Sequence, residues 1–343
     1  MPAQPPDNDG VPRVTEAVMW AADHGGAEAT PSDAEALQVL AVESGDEGRK
    51  KGRGLGLGAW LAIGWITLIV VSGALAHLNV LPLDNPTTDV DAFCARRGPF
   101  ANEGTAEGHL LGCDTNGRDL ASRVIYGGGL SMMIAVGAVA LGLAIGGTLG
   151  MVAGFFGGRV DAVLTSSFNV MLSVPAVILA LALTAFLQKP PEEAGGGTAL
   201  PVEVTLILAI GIVSIPLLGR ITRASALSWS QREFVLAARA QGAKNLRIMV
   251  REVLPNVLPA MASIALLGIA VAIVAEGALS ILGVGMKPPT PSWGTIIGLD
   301  RGALNSSPHI IFVPSILTFV TVLALNFLGD VVRARFDVRE AGI

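Results

Sequence analysis

The sequence is short of charge, of aromatic rings and of reactive side chains. Of 343 residues only 15% are charged and 5% aromatic, with one Tyr, four His and two Cys. So little charge takes the chain outside the range of soluble globular domains. A phosphate-cradling loop needs Lys followed by Ser or Thr, but Lys50, Lys51, Lys189, Lys244 and Lys287 are followed by Lys, Gly, Pro, Asn and Pro. No ATPase site within the chain is therefore expected. His24, His77, His109 and His309 show no metal-ligand spacing. No nucleophile stands out beside a base. Neither a metal centre nor catalysis is expected, and nothing points to a nucleic-acid partner. His109 could approach Asp114 or Asp119, and is read as a surface residue.

What the chain has in excess is apolar length: 51% of it is hydrophobic. A lipid-exposed helix must be apolar all round over about 20 residues, because the bilayer offers no water to its backbone. Charge-free windows run over 57–76, 124–158, 162–188, 204–219, 253–275 and 302–329. These predict an all-α polytopic membrane protein with six spans. The window 124–158 is too long for one helix and too short for two, so its glycine clusters, Gly127 to Gly129 and Gly154 to Gly158, are expected to be loop or interface. The first window is read as a retained anchor rather than a signal peptide, since 56 mostly polar residues precede it.

Charge placement orients the bundle. With both termini cytoplasmic, 16 of the 23 Lys and Arg lie on the cytoplasmic side, seven of them between Arg220 and Arg251. The opposite orientation would reverse the positive-inside bias. The net charge of −5 belongs to the beginning of the chain, because residues 1–48 carry ten acids and one base. Residues 1–56 are read as a disordered cytoplasmic tail, and 57–343 as the transmembrane domain.

Within that domain, Ala138, Gly142, Gly146, Gly150 and Gly154 repeat every four residues. Such a ridge allows close helix approach in lipid, against either a neighbouring helix or a partner subunit. Pro175 and Pro216 predict kinks buried against protein. In the cytoplasmic loop 220–254, Gln231 to Gln241 is rich in helix formers, Gly242 is a natural stop, and Lys244 to Val253 reads as a second helix ended by Pro255.

That loop carries Glu233, Phe234, Ala237, Ala238 and Gly242, and closes twelve residues later with Leu254 and Pro255. It resembles the EAA loop of ABC importer permeases, with Leu236 where the motif has glutamate. The run Gly112, Cys113, Asp114, Thr115, Asn116, Gly117, Arg118 and Asp119 resembles the segment before span two in dipeptide, oligopeptide and nickel permeases. Leu279 to Gly285, followed by Pro288, Pro289, Pro291, Trp293 and Gly294, resembles their loop after span five. Asn326 to Asp330, with Arg333 and Asp337, resembles their C-terminal signature. Four motifs in this order resemble the C-type permease subunit. Departures stand at Ser166, Asn169, Gly129 and Cys113, where Arg, Asp, Arg and Thr are common.

The resemblance implies a heterodimer with a second permease subunit, embedded in inner-membrane lipid. Two partner ATPase domains would bind ATP and Mg and dock on the 220–254 loop, and an extracytoplasmic binding protein would deliver substrate. Short peptides are the implied cargo, with nickel or another chelated metal as the rival. An ion-driven secondary transporter or channel, or a receptor without transport, are the rivals from other classes. A secondary transporter would be expected to show inverted repeats and several intramembrane charges, neither of which the sequence offers.

Two further expectations concern individual side chains. Glu276, near the outer end of span five, must be sheltered, by a pore-side contact to a peptide amine or by a hydrogen bond to Ser280. Cys94 and Cys113 both fall in the extracytoplasmic segment 77–123, where oxidation is permitted, and predict a disulfide. An ordered turn is expected at Asp114, Gly117, Arg118 and Asp119, with exposed local ion pairing around Arg118.

Overall fold

The computed structural model describes residues 56–337, apart from Pro82, Phe93, Arg97, 99–108 and 189–199. The segment read as a disordered tail lies outside the described residues except for Gly56. From Leu57 onward the chain forms one compact helical unit.

Nine helices are found among the described residues. Helix α1 is Leu57–His77, and α2 is Leu120–Phe156. Then come α3 Gly158–Leu172 and α4 Ala176–Leu187, with α5 Val202–Ser230 following. The short α6 is Glu233–Ala240, α7 is Asn245–Ile281, α8 is Trp293–Leu299 and α9 is His309–Asp337. Helices α1, α2, α5, α7 and α9 are each long and apolar enough to cross a membrane. The pair α3 and α4, bent by 84°, makes a sixth crossing if taken as one span.

Several boundaries differ from those the sequence suggested, each for a physical reason. Helix α2 runs from Leu120 to Phe156, through all but the last two residues of the window thought too long for one helix, relaxing into a π-turn at Leu143–Gly147. The first glycine cluster is not loop but contact surface. A Cβ on Gly127 would stand 3.1 Å from the backbone of Ser292, and one on Gly128 would stand 2.7 Å from the Trp293 ring. One on Gly129 would lie 2.8 Å from Gly73 of α1. The second cluster is split. Gly154 is helical, while Gly157 at φ +62° and Gly158 at φ +54° make the turn into α3.

The four-residue ridge lies against α5 rather than a partner. Added Cβ atoms at Gly146, Gly150 and Gly154 would meet the carbonyl oxygens of Ile215, Gly219 and Arg223 at 2.3, 2.1 and 2.5 Å. Backbone on backbone at this range is what small residues supply where lipid gives no hydrophobic drive. Pro216 sits buried inside α5, which continues to Ser230, well past its apolar window. Pro175 is exposed and breaks the helix outright. It is the N-cap of α4, where its missing N–H costs nothing. Pro255 does not end a helix either, since it stands just after the π-turn Met249–Val253, in the first turn of the second α-helical stretch of α7, Leu254–Ile281.

Helix α9 begins at His309, seven residues later than its apolar window. It is tied to α1 by Trp65 Nε1 donating to Thr321 Oγ1 at 3.0 Å, and to α7 by Ser263 Oγ donating to the Gly329 carbonyl at 2.8 Å. The core between these helices is made of Ile134, Leu206, Ile273, Leu279, Ile296 and Leu325, all essentially inaccessible.

Candidate functional site

Two ends of the bundle carry side chains whose arrangement the core does not require. At one end the chain leaves α5, forms α6, turns, and enters α7. Gly242 makes the turn at φ +81°, a conformation that costs an L-residue roughly 1–2 kcal/mol and glycine nothing. The pair is clipped to the bundle by one face only. Val235, Ile248, Val253 and Val257 are fully buried beside Met151, Phe155 and Ala226. Arg239 lies over the Phe155 ring at 5.4 Å and Arg232 over Trp229 at 5.2 Å, which fixes the ends of α6.

The outer face of the pair is open. Phe234, Leu236, Leu246 and Val250 are between 38% and 67% exposed. A shallow open groove there is lined by Lys244, Leu246, Arg247, Val250 and Arg251. Ala237 is exposed and Ala238 only partly covered, so the two small residues do not carry the packing of α6. Val235 is the residue that anchors α6, and its spacing from Ile248 across the turn gave no periodic signal. Glu233 is exposed in the first turn, Leu254 is partly covered, and Pro255 is exposed. A bidentate pair between Asp161 and Arg223 ties the start of α3 to α5 at this same end.

At the other end, the described residues between α1 and α2 fold into a cap. Cys94 and Cys113 are joined in a disulfide with Cα atoms 5.8 Å apart, both buried. Closing a loop of this size stabilises by roughly 3 kcal/mol in the chain-entropy picture. Asp114 is the hub of the cap and is fully buried. One carboxylate oxygen accepts from the N–H groups of Asn116 and Arg118 at 2.8 and 2.9 Å. The other accepts from Arg118 Nε at 2.7 Å and lies 3.3 Å from Arg123 Nε. Arg118 is only 6% exposed and Arg123 wholly buried, so the ion pairing is interior rather than exposed as the sequence suggested. Gly112 and Gly117 hold the turn at φ +76° and +78°, and a Cβ on Gly117 would meet the Asp91 carbonyl at 2.2 Å. Asp119 caps α2, accepting from the Ser122 N–H at 2.6 Å.

Arg123 also donates to the Pro86 carbonyl at 3.1 Å and reaches that of Pro289 at 3.4 Å, pinning the α7–α8 connection to the cap. Thr115 donates to Asp300, whose carboxyl is pushed above the usual carboxylate range. Burial is the main cause, opposed by the Thr115 hydroxyl, reinforced by the nearby Asp114 charge, and opposed by Arg123 and Arg118. His109 is not a surface residue: its side chain is 13% exposed and hydrogen-bonds Asp119 at 3.1 Å.

Beneath the cap, Glu276 is sealed from solvent. Ser280 and Ser292 donate to one of its oxygens at 2.8 and 2.7 Å, and Ser131 donates to the other at 3.0 Å. It therefore joins α2, α7 and the N-cap of α8. Trp293 completes the junction, donating from Nε1 to the Val124 carbonyl at 2.9 Å. Ser292 and Trp293 were missed because α8 has only seven residues and no apolar run long enough to announce it, and Ser131 because it lies 145 residues from Glu276, on α2.

The helical bundle has the fold of an ABC importer permease. It is similar to solved structures of the MetNI methionine ABC transporter in inward-facing conformations. The TM-score is 0.51 at 20% identity, covering 63% of this chain and 95% of that one. The chain belongs to the family described as the binding-protein-dependent transport system inner membrane component, which matches residues 146–341. It is 35% identical to a dipeptide transport system permease protein of Alkalihalophilus pseudofirmus, over 68% of this chain and 73% of that protein. It is 34% identical to a glutathione transport system permease protein of Pectobacterium atrosepticum, over 81% and 86%. To a di/tripeptide transport system permease protein of Pseudomonas aeruginosa it is 36% identical, over 79% and 84%. It is thus a multi-pass inner-membrane permease.

Proposed function

We propose that this chain is one permease subunit of a peptide ABC importer, forming half of the translocation path beside a second permease subunit. The single observation that carries the coupling part is the one-sided burial of the helix pair 233–254. Val235 and Ile248 are locked inside while Phe234, Leu236, Leu246 and Val250 stand out. In this reading that face seats on a cytoplasmic ATPase subunit, which binds ATP and Mg, and closure of two such subunits turns the cavity outward. The disulfide supports placing the cap on the oxidising side of the membrane, where a binding protein delivers substrate. Short peptides as cargo rest on the relatives named for dipeptides, di/tripeptides and glutathione.

Replacing Gly242 by Val tests the coupling. No atom lies within 4 Å of the space a Cβ would fill, so the change strains the turn without a clash and leaves the bundle intact. Membrane insertion should be normal while substrate-stimulated ATPase activity and uptake both fall. Unchanged stimulation in a normally inserted Gly242→Val protein would refute the docking.

A further inference from the structure

The cap holds a cluster that the permease reading leaves unused. Nδ1 of His109 lies 3.1 Å from a carboxylate oxygen of Asp119 and 3.7 Å from one of Asp84. One imidazole facing two carboxylates is unbalanced, since even a protonated ring leaves one negative charge over. Ligand atoms bound to a tetrahedral Zn2+ at about 2.0–2.1 Å sit roughly 3.4 Å from one another. The two separations bracket that edge.

Each arm is held in place by something other than its neighbours in the cluster. The second oxygen of Asp119 is committed to the Ser122 N–H at the start of α2, which leaves its first oxygen turned to His109. The Ser122 hydroxyl donates to the main-chain carbonyl of Asp84, fixing the backbone from which that carboxylate projects. The side chains of His109 and Asp119 are 13% and 8% exposed, whereas that of Asp84 is 54% exposed and pairs with no other described residue. An ion therefore has access from water and room for a water ligand.

We propose that Asp84, His109 and Asp119 bind a first-row divalent transition-metal cation of the softness of Zn2+. The ion replaces the proton on His109 Nδ1, which passes to solvent, and water completes the shell. A nitrogen and carboxylate donor set suits such an ion, whereas Ca2+ and Mg2+ favour oxygen alone. The sulfurs of Cys94 and Cys113 also lie within 4.8 Å of a ring nitrogen of His109. Joined in a disulfide they offer no thiolate, so the expected shell holds nitrogen and oxygen only. The site would clamp the connection after α1 to the start of α2, independently of any contact with an ATPase.

The test uses the full-length chain in detergent, carrying a histidine-free tag, with its disulfide oxidised and stripped by chelator. Calorimetric titration with Zn2+ should give one ion per chain. Asp84→Asn and His109→Ala should each weaken binding by at least roughly tenfold, the lower end of what disturbing even an outer-shell partner costs. X-ray absorption of the bound zinc should show nitrogen and oxygen without sulfur. Asp84→Asn alters an exposed carboxylate and keeps the test decisive should His109→Ala fail to fold. Absence of saturable Zn2+ binding by the unaltered chain overturns the site, as does undiminished binding in Asp84→Asn or a sulfur-containing shell.

Discussion

Replacing Asp114 by Asn probes the cap at its hub. The carboxylate accepts from two backbone N–H groups and Arg118, and faces Arg123, all within 3.3 Å. An Asn offers one acceptor and one donor, so whichever way its amide turns, an N–H is aimed at another N–H. If the amide nitrogen takes the outer place, it confronts Arg118 Nε at 2.7 Å and leaves two guanidinium groups without their carboxylate. Removing one partner of a buried ion pair costs about 3–5 kcal/mol. Arg123 keeps its bonds to the Pro86 and Pro289 carbonyls, which places the loss within that range rather than above it. Spent on local opening, that cost raises the population of opened cap by at least roughly a hundredfold.

Limited trypsin digestion in detergent reads the opening directly, because Arg118 is shielded in the closed cap. Asp114→Asn should be cut after Arg118 much faster than the parent, and should melt at a lower temperature. Asp89→Asn, at an exposed residue whose bond from the Asn85 N–H an amide oxygen can still accept, is the control, with an expected change within about 0.5 kcal/mol. If Asp114→Asn and Asp89→Asn digest and melt alike, the buried hub does not hold the cap together.

Gly150→Val should prevent α2 and α5 from closing, since its first side-chain carbon would fall 2.1 Å from the Gly219 carbonyl oxygen; overpacking of this kind costs at least about 1–3 kcal/mol, and the protein yield and melting temperature in detergent report it. Asp300 gives a pH dependence of defined sign. Its folded-state carboxyl holds the proton more tightly than the unfolded chain does, so its contribution falls as pH rises from about 4, the ordinary Asp value, through the raised one. Asp300→Asn removes that loss, and its melting temperature should gain on the parent's as pH is raised from 4 to 7. A gap that stays constant or narrows would contradict the burial argument.

The apolar runs of the long helices were legible because a lipid-facing helix must be apolar all round, and that demand is written residue by residue. The motif between α5 and α7 was legible because a turn at positive φ needs Gly242. The same glycine signal misled at Gly127 to Gly129, where a residue that weakens helices in water serves to bring Gly73, Ser292 and Trp293 into contact. Sequence distance hid the rest. Glu276 showed its neighbour Ser280 one turn away, but not Ser131 or Ser292, which only the packing of α2 and α8 delivers. His109 and Asp84 meet for the same reason, through a chain reversal that no local pattern encodes.

The most direct measurement is transport by the assembled complex in sealed vesicles, containing this chain, a second permease subunit, the ATPase subunits and the binding protein. An ABC importer permease requires that peptide uptake depend on ATP supplied at the ATPase side, and that ATP turnover rise when binding protein and peptide are added together. Uptake that proceeds without ATP and follows an imposed ion gradient would contradict the reading and place the chain among secondary transporters.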